Sequence, residues 1–237
     1  MRILVTRPQR EAERTAGRLA ALGHTALCAP MLEIVATGAA LPAQPADAVL
    51  ATSAQAIALL NEASARALQK LPLFAVGERT AAAARAAGFT DVRPPAPDAR
   101  RLVETISAAY PDPATFLYLA GRDRKADLET ALGSRGHRID VVIVYAARAV
   151  TALPQDVWAA LWGGEVDAIF HYSRRSAAIF RRLIEAVGLA DAAGRALQVC
   201  ISADAAAPLL GFAPRLAIAG EPNETALLAV LGVADDE

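Results

Sequence analysis

The chain has 237 residues, 54% apolar and 21% charged, with a formal net charge of −1 at pH 7. Mean hydropathy is +0.30 and the isoelectric point about 6.3. The size allows one large or two small domains with a substantial core. The near-neutral balance excludes a general basic field for nucleic acid or for steering a polyanion, so any anion site must be local. No apolar run approaches membrane-spanning length, and "MRILVTRP" soon turns polar without the pattern of an export signal. The expectation is a cytoplasmic protein with neither nucleic acid nor membrane as a partner. Cys28 and Cys200 lie in apolar runs and read as buried, reduced thiols. His24, His137 and His171 lack metal-ligand spacing, so no metal is expected.

In chain order, residues 3–35 read as an apolar strand, the turn Thr6-Arg7-Pro8, an amphipathic helix, a Gly-His turn and a second apolar strand. Residues 47–60, "DAVLATSAQAIALL", read as Asp, strand, Thr52-Ser53 and helix. Residues 73–89 give a strand, a turn from Gly77 to Thr80 and an alanine-rich helix. A short strand around Val92 and a helix with Leu102, Ile106 and Ala109 on one face follow. The order then repeats. Residues 116–148 copy 3–35, including the Gly-His pair, and 167–180, "DAIFHYSRRSAAIF", copy 47–60. Residues 199–212 copy 73–89 more loosely, then come a strand near Leu216 and a helix carrying Leu227, Val230 and Leu231.

Alternating strands and helices of this kind predict an α/β protein with mostly parallel sheets. The repeat permits a compact domain 38–147, with a second assembled from 1–35 plus 150–237. The crossings then fall at 36–37 and 148–149, where "LEIVATGAALP" and "YAARAVTALP" can pair as a two-stranded linker. A plain tandem, 1–112 then 113–237, is the alternative.

Open parallel sheets bind ligands past the carboxyl ends of their strands, where helix N-termini favour anions. The turns at those ends are Thr6-Arg7-Pro8, Thr52-Ser53, Gly77 to Thr80, Gly121-Arg122, Ser173-Arg174 and Ser202. Each also suits plain helix capping or backbone relief. Collectively they favour a carboxylate- or phosphate-rich ligand, with Arg7 and Arg122, neighbours in the repeat, as clamps. Tyr145 ends the apolar run "VVIVY" and is either a core aromatic or a hydrogen-bond donor toward a ligand. His171 lies at a strand end and reads more simply as a packed or surface histidine than as an acid or base. Gly-x-Gly-x-x-Gly, the phosphate-loop pattern, Gly-x-Ser-x-Gly and a Cys/His couple are all missing.

In order, spacing and length the pieces resemble the uroporphyrinogen-III synthase family. The residues that carry this are "LVTRP", "ATSAQAI", "AVGERTA" with "AAGF" behind it, "VIVY" ahead of the linker and, more weakly, "FHYSRRS". The resemblance implies two flavodoxin-like α/β domains, one inserted in the other, joined by a two-stranded β linker with a cleft between them. It implies no cofactor, and a monomer is expected. The implied reaction closes hydroxymethylbilane to uroporphyrinogen III with inversion of the last pyrrole ring and loss of water. The small-molecule substrate is a polycarboxylate linear tetrapyrrole, with transient hand-over from hydroxymethylbilane synthase. Tyr145 matches the family tyrosine thought to assist loss of the hydroxyl, Thr80 a threonine expected at the substrate, and Ser53 and Ser173 the two strand-end serines. The remaining substrate contacts expected are Arg7, Thr52, Gly77, Gly121, Arg122 and Ser202. The second glycine–threonine turn departs from the pattern, with Ser202 for Gly and Ala205 for Thr, and "FHYS" brings His171 and Tyr172 near the site. A non-catalytic two-domain protein binding tetrapyrroles or other anions is the alternative. An FMN protein fits poorly with 5% aromatic residues.

Overall fold

Ile3, Leu4 and Val5 are consecutive and fully buried, as are Ala168, Ile169 and Phe170. Strands of this kind require cover on both faces, which parallel sheets obtain from their crossover helices. The computed structural model describes residues 1–233. In chain order the elements are β1 (Arg2–Val5), α1 (Gln9–Ala21), β2 (Thr25–Cys28), β3 (Leu32–Ala36), β4 (Ala48–Ala51), α2 (Ala54–Ala58), α3 (Glu62–Leu68), β5 (Leu73–Ala75), α4 (Glu78–Ala86) and α5 (Ala99–Ala109). They continue with β6 (Thr115–Gly121), α6 (Asp127–Gly133), β7 (Arg138–Ala149), α7 (Gln155–Trp162), β8 (Ala168–His171), α8 (Arg174–Ala186), α9 (Ala190–Arg195), β9 (Leu197–Cys200), α10 (Ala203–Ala206), β10 (Leu216–Ile218) and α11 (Glu224–Val233).

The chain divides into two compact units, Met1–Glu33 with Arg148–Glu237, and Ile34–Ala147. The first unit holds a five-stranded sheet in the order β10-β9-β8-β1-β2, parallel at every pairing. The second holds the sheet β3-β7-β6-β4-β5, in which β7, β6, β4 and β5 are mutually parallel and β3 lies on the outer edge of β7. In both sheets the parallel strands follow the 2-1-3-4 winding of flavodoxin-like folds, with β6 and β7 taking the places of β1 and β2.

Alternation along the strands distributes the core over both faces of each sheet. In the first unit Leu4 and Ile169 join Phe180, Leu183 and Ile184 on one side, while Ile3, Val5 and Phe170 join Leu227 and Leu231 on the other. In the second, Val49, Leu73 and Leu117 face one way and Leu50, Phe74 and Phe116 the other. Phe116, Phe170 and Phe180 are among the largest fully buried side chains. Truncating any one of them to alanine would cost about 3–5 kcal/mol.

The predicted α/β architecture with parallel sheets is the one observed, with local differences. The strand expected around Val92 is reduced to a single bridge to Leu73, followed by one between Val76 and Ala96. The intervening Pro94 and Pro95 have no N–H to continue a ladder. On α5 the buried residues are Leu102, Val103 and Ile106, and Ala109 is exposed in the last turn. Tyr145 does not end its strand, because β7 continues to Ala149. Cys200 is fully buried, with its thiol pushed up to about 12 by desolvation, whereas Cys28 is only partly buried.

His171 belongs to the core. It is 0% exposed at the end of β8, edge-on to Phe180 at 5.4 Å between ring centroids. Its Nε2 lies 2.8 Å from Gln198 Oε1, and Gln198 Nε2 donates to the carbonyls of Ala193 and Ala196 at 2.8 and 3.1 Å. With the amide thus oriented, its oxygen accepts from His171 Nε2–H, the ring is neutral, and Nδ1 is a buried acceptor without a donor. Desolvation lowers its pKa to about 4 against the opposing hydrogen bond to Gln198. The unfolded chain therefore binds a proton near pH 6.5 that the folded chain refuses until about pH 4. Stability from this residue is complete above pH 6.5 and is lost as the pH falls toward 4, by about 3 kcal/mol in total. Urea titrations at pH 7.5 and 4.5 should show a stability loss in the wild type that is smaller in His171→Gln by roughly 2–3 kcal/mol.

Candidate functional site

Every parallel strand in a sheet ends at the same edge, so the turns read from the sequence collect at two places. The carboxyl edge of the second sheet carries Thr52 and Ser53 after β4, Gly77 and Thr80 after β5, and Gly121 and Arg122 at the end of β6. The corresponding edge of the first sheet carries Arg7 after β1, Ser173 after β8 and Ser202 after β9.

Local hydrogen bonds account for the serines and one glycine. Ser53, Ser173 and Ser202 are N-caps, whose Oγ atoms accept from the backbone N–H of Gln55, Ser176 and Ala205 at 3.3, 3.1 and 3.3 Å. Such caps contribute about 1 kcal/mol each. Ser173 also donates to Ser176 Oγ at 3.0 Å. Gly77 caps α4 without a side chain at φ +76°, and its N–H donates to Ala96 O at 2.8 Å. At this left-handed angle any other residue would be strained, although a Cβ would meet nothing within 4 Å. Ser202, by contrast, has φ −160°. The replacement of Gly by Ser in the second copy thus exchanges a backbone turn for a side-chain cap. Thr80 lies in the first turn of α4 and is 4% exposed; Ala205 is 1% exposed.

At the switch point of the second sheet, where β6 and β4 adjoin, Tyr118 on β6 places its hydroxyl 2.8 Å from Thr52 Oγ1. Burial raises the Tyr118 pKa, and the Thr52 hydrogen bond opposes this. Beside them the β6–β7 register slips. Ala120 pairs with Ile143 but Gly121 pairs with Tyr145, and Arg122 N–H donates to Tyr145 O at 2.9 Å. The bulge sets the Tyr145 ring against the Gly121 Cα. A Cβ there would lie 2.5 Å from Tyr145 Cζ and 2.8 Å from its hydroxyl oxygen. Gly121 has no left-handed φ, so a side chain there would meet the outer end of the Tyr145 ring and no backbone strain. Tyr145 is partly buried, and the Arg122 guanidinium is exposed, with no hydrogen-bond or ion-pair partner among the described residues.

The first sheet's switch point, between β1 and β8, is furnished differently. Thr6 is fully buried and donates to Phe170 O at 2.7 Å. The Arg7 guanidinium carbon stands 4.3 Å from the centroid of the Tyr172 ring, and Nη1 lies 2.9 Å from Glu224 Oε1. Arg18 reaches the other oxygen of Glu224 at 2.9 Å, and Thr15 donates to Oε1. Sequence reasoning missed Tyr118, Thr15, Arg18 and Glu224. For Glu224 a signal existed in the Asn223 cap and acidic first turn of the last helix.

Such edges, rich in helix N-termini and hydroxyl donors and carrying exposed arginines, suit binding of carboxylates or phosphates. Among the described residues no cluster of three or more His, Cys, Asp or Glu side chains could hold a metal, and no helix is long and apolar enough to cross a membrane. The fold is of the two-sheet α/β class with flavodoxin-like winding. The family model for uroporphyrinogen-III synthase HemD matches residues 13–229, and the chain belongs to that family. A uroporphyrinogen-III synthetase structure from Helicobacter pylori 26695 superposes with TM-score 0.57 at 20% identity, covering 99% of this chain and 100% of that one. The structure of Thermus thermophilus uroporphyrinogen III synthase aligns at 22% identity over 100% of both chains with TM-score 0.43. Among curated proteins none matches significantly.

The Gly121–Tyr145 contact can be tested without any ligand. Gly121→Ala should lose about 1–3 kcal/mol of stability through overpacking. In the double variant Gly121→Ala/Tyr145→Ala that loss should largely disappear. Strict additivity of the two changes in chemical denaturation would contradict the contact.

Proposed function

We propose that the chain closes hydroxymethylbilane to uroporphyrinogen III, a cyclising loss of water with inversion of the last pyrrole ring. The observation that carries this reading is membership of the uroporphyrinogen-III synthase family across residues 13–229. The polar carboxyl edge of the second sheet supports it, because a substrate bearing many acetate and propionate groups needs several separate anion contacts. Thr52, Ser53, the turn from Gly77 to Thr80, and Gly121 with Arg122 would supply them, and Ser173 and Ser202 offer hydroxyl groups of the same kind at the edge of the first sheet. Ser53 and Ser202 cap through an oxygen lone pair, which leaves each hydroxyl hydrogen for an outside acceptor.

Hydroxymethylbilane is reactive and closes unaided to the un-inverted isomer. The protein's task is then to hold a conformation that presents the other carbon of the last ring. Orientation of this kind can be worth roughly 7–11 kcal/mol. Little acid–base machinery is needed. His171 takes no part, being enclosed and neutral in the core. Tyr145 is the group assigned to assist departure of the hydroxyl, by donating a hydrogen bond from its phenol, and Gly121 leaves room for its ring.

A coupled assay tests the reading. Hydroxymethylbilane is generated in situ by its own synthase, this protein is added, and the oxidised products are separated by chromatography. Predominantly type III uroporphyrin is expected, and Tyr145→Phe should lower turnover at least several-fold with its thermal unfolding unchanged. Type I product alone, at the spontaneous rate, would overturn the cyclase reading and leave a tetrapyrrole- or anion-binding protein.

A further inference from the structure

Arg7 and Arg122 follow the first strand of each repeat, at the switch point of each sheet, yet their surroundings are opposite. Arg122 is exposed and unpaired among the described residues. Arg7 is partly buried, with its guanidinium on the Tyr172 ring and its Nε buried without an acceptor. Its one anionic partner among the described residues is Glu224, from the first turn of α11. That carboxylate is closely held. Oε1 receives Arg7 at 2.9 Å and the Thr15 hydroxyl, and Oε2 receives Arg18 at 2.9 Å. Arg18 is fixed in turn by Thr225 Oγ1 at 3.2 Å. Partial burial alone would raise the Glu224 pKa, but the hydrogen bonds from Thr15 and Arg18 and the charges of Arg7 and Arg18 hold it below the usual range.

Two guanidinium groups and a hydroxyl converging on both oxygens of one carboxylate are what a binding site for an external carboxylate would offer. We propose that Arg7, Thr15 and Arg18 form a carboxylate cradle that the chain fills from within with Glu224, so that ligand carboxylates are recognised through Arg122 at the second sheet and not through Arg7 at the first. An incoming carboxylate would have to expel Glu224 and leave it half-buried without its cations, which opposes the exchange. The second half of the proposal rests on the polycarboxylate substrate proposed above. The first half does not.

The cradle is tested by emptying it. Glu224→Ala should unfold several degrees below the wild type in chloride. Sodium acetate should restore much of the loss saturably, with no such gain in the wild type or in Arg7→Ala/Glu224→Ala at equal ionic strength. If acetate does no more for Glu224→Ala than chloride does, there is no cradle. Should the variant not accumulate folded, its refolding yield in acetate against chloride makes the same distinction, and equal yields overturn the proposal. For the second half, the probe is uroporphyrin, followed by its own fluorescence. Arg122→Ala should bind it at least several-fold more weakly, and unchanged affinity would overturn that assignment. The acetate experiment involves no turnover, so a failure of the cyclase reading leaves its result standing.

Discussion

A parallel strand cannot return to its neighbour through a tight turn. It must leave its sheet, cross over one face and re-enter from the far end. From this constraint follow the burial of both faces of β1, β4, β6 and β8, the helices that cover them, and the grouping of all strand exits on one edge. Apart from β2, which runs on into β3, these exits lead to a helix N-terminus whose backbone N–H groups need acceptors. Ser53, Ser173, Ser202 and Gly77 at those exits therefore serve the helix starts before any ligand is considered. The candidate site is an elaboration of an edge that the topology makes polar in any case.

The duplicated halves use that edge differently. In the second sheet the switch point is built from neutral groups, Thr52 with Tyr118 and Gly121 with Tyr145, and the neighbouring cation, Arg122, has no internal partner among the described residues. In the first, a partly buried arginine, an aromatic ring and a glutamate close upon one another. The same division appears between Gly77 and Ser202, one relying on a left-handed backbone and the other on an ordinary side-chain cap. Similarity of pattern between the halves thus coexists with different local chemistry, and equivalence of position does not imply equivalence of role.

Much of the fold is legible in the sequence because it depends on local patterns. Apolar runs such as "ILV" and "AIF" mark doubly covered strands, and Ser53, Ser173 and Ser202 mark helix starts. What escapes the sequence depends on contacts between distant segments or on one-residue register changes. Glu224 meets Arg7 because β1 and α11 belong to one sheet's edge, a separation of more than two hundred residues along the chain. The run "VVIVY" places Tyr145 at a strand end, whereas it sits inside β7, where only the bulge at Ala120 and Gly121 brings its ring onto the glycine. His171 follows an apolar run and so lies where a site residue could stand. Its partner Gln198, on the next strand, makes it part of the interior. On α5 Val103 is buried in place of Ala109, because helical periodicity identifies a stripe but not where the last turn leaves the sheet.

The position of β1 has a consequence for how the chain is made. β1 lies between β2 and β8, with Ile3 opposite both Ala26 and Ala168. During synthesis β2 emerges almost at once, but β8 arrives only after the whole unit Ile34–Ala147 has left the ribosome. At about 5–20 residues per second the hydrophobic strand "RILV" spends several seconds or longer with one edge open. The interrupting unit, contiguous in sequence, can complete its own sheet during that wait. The order of synthesis therefore favours finishing the inserted half first, while the half that begins the chain is the last to acquire its core.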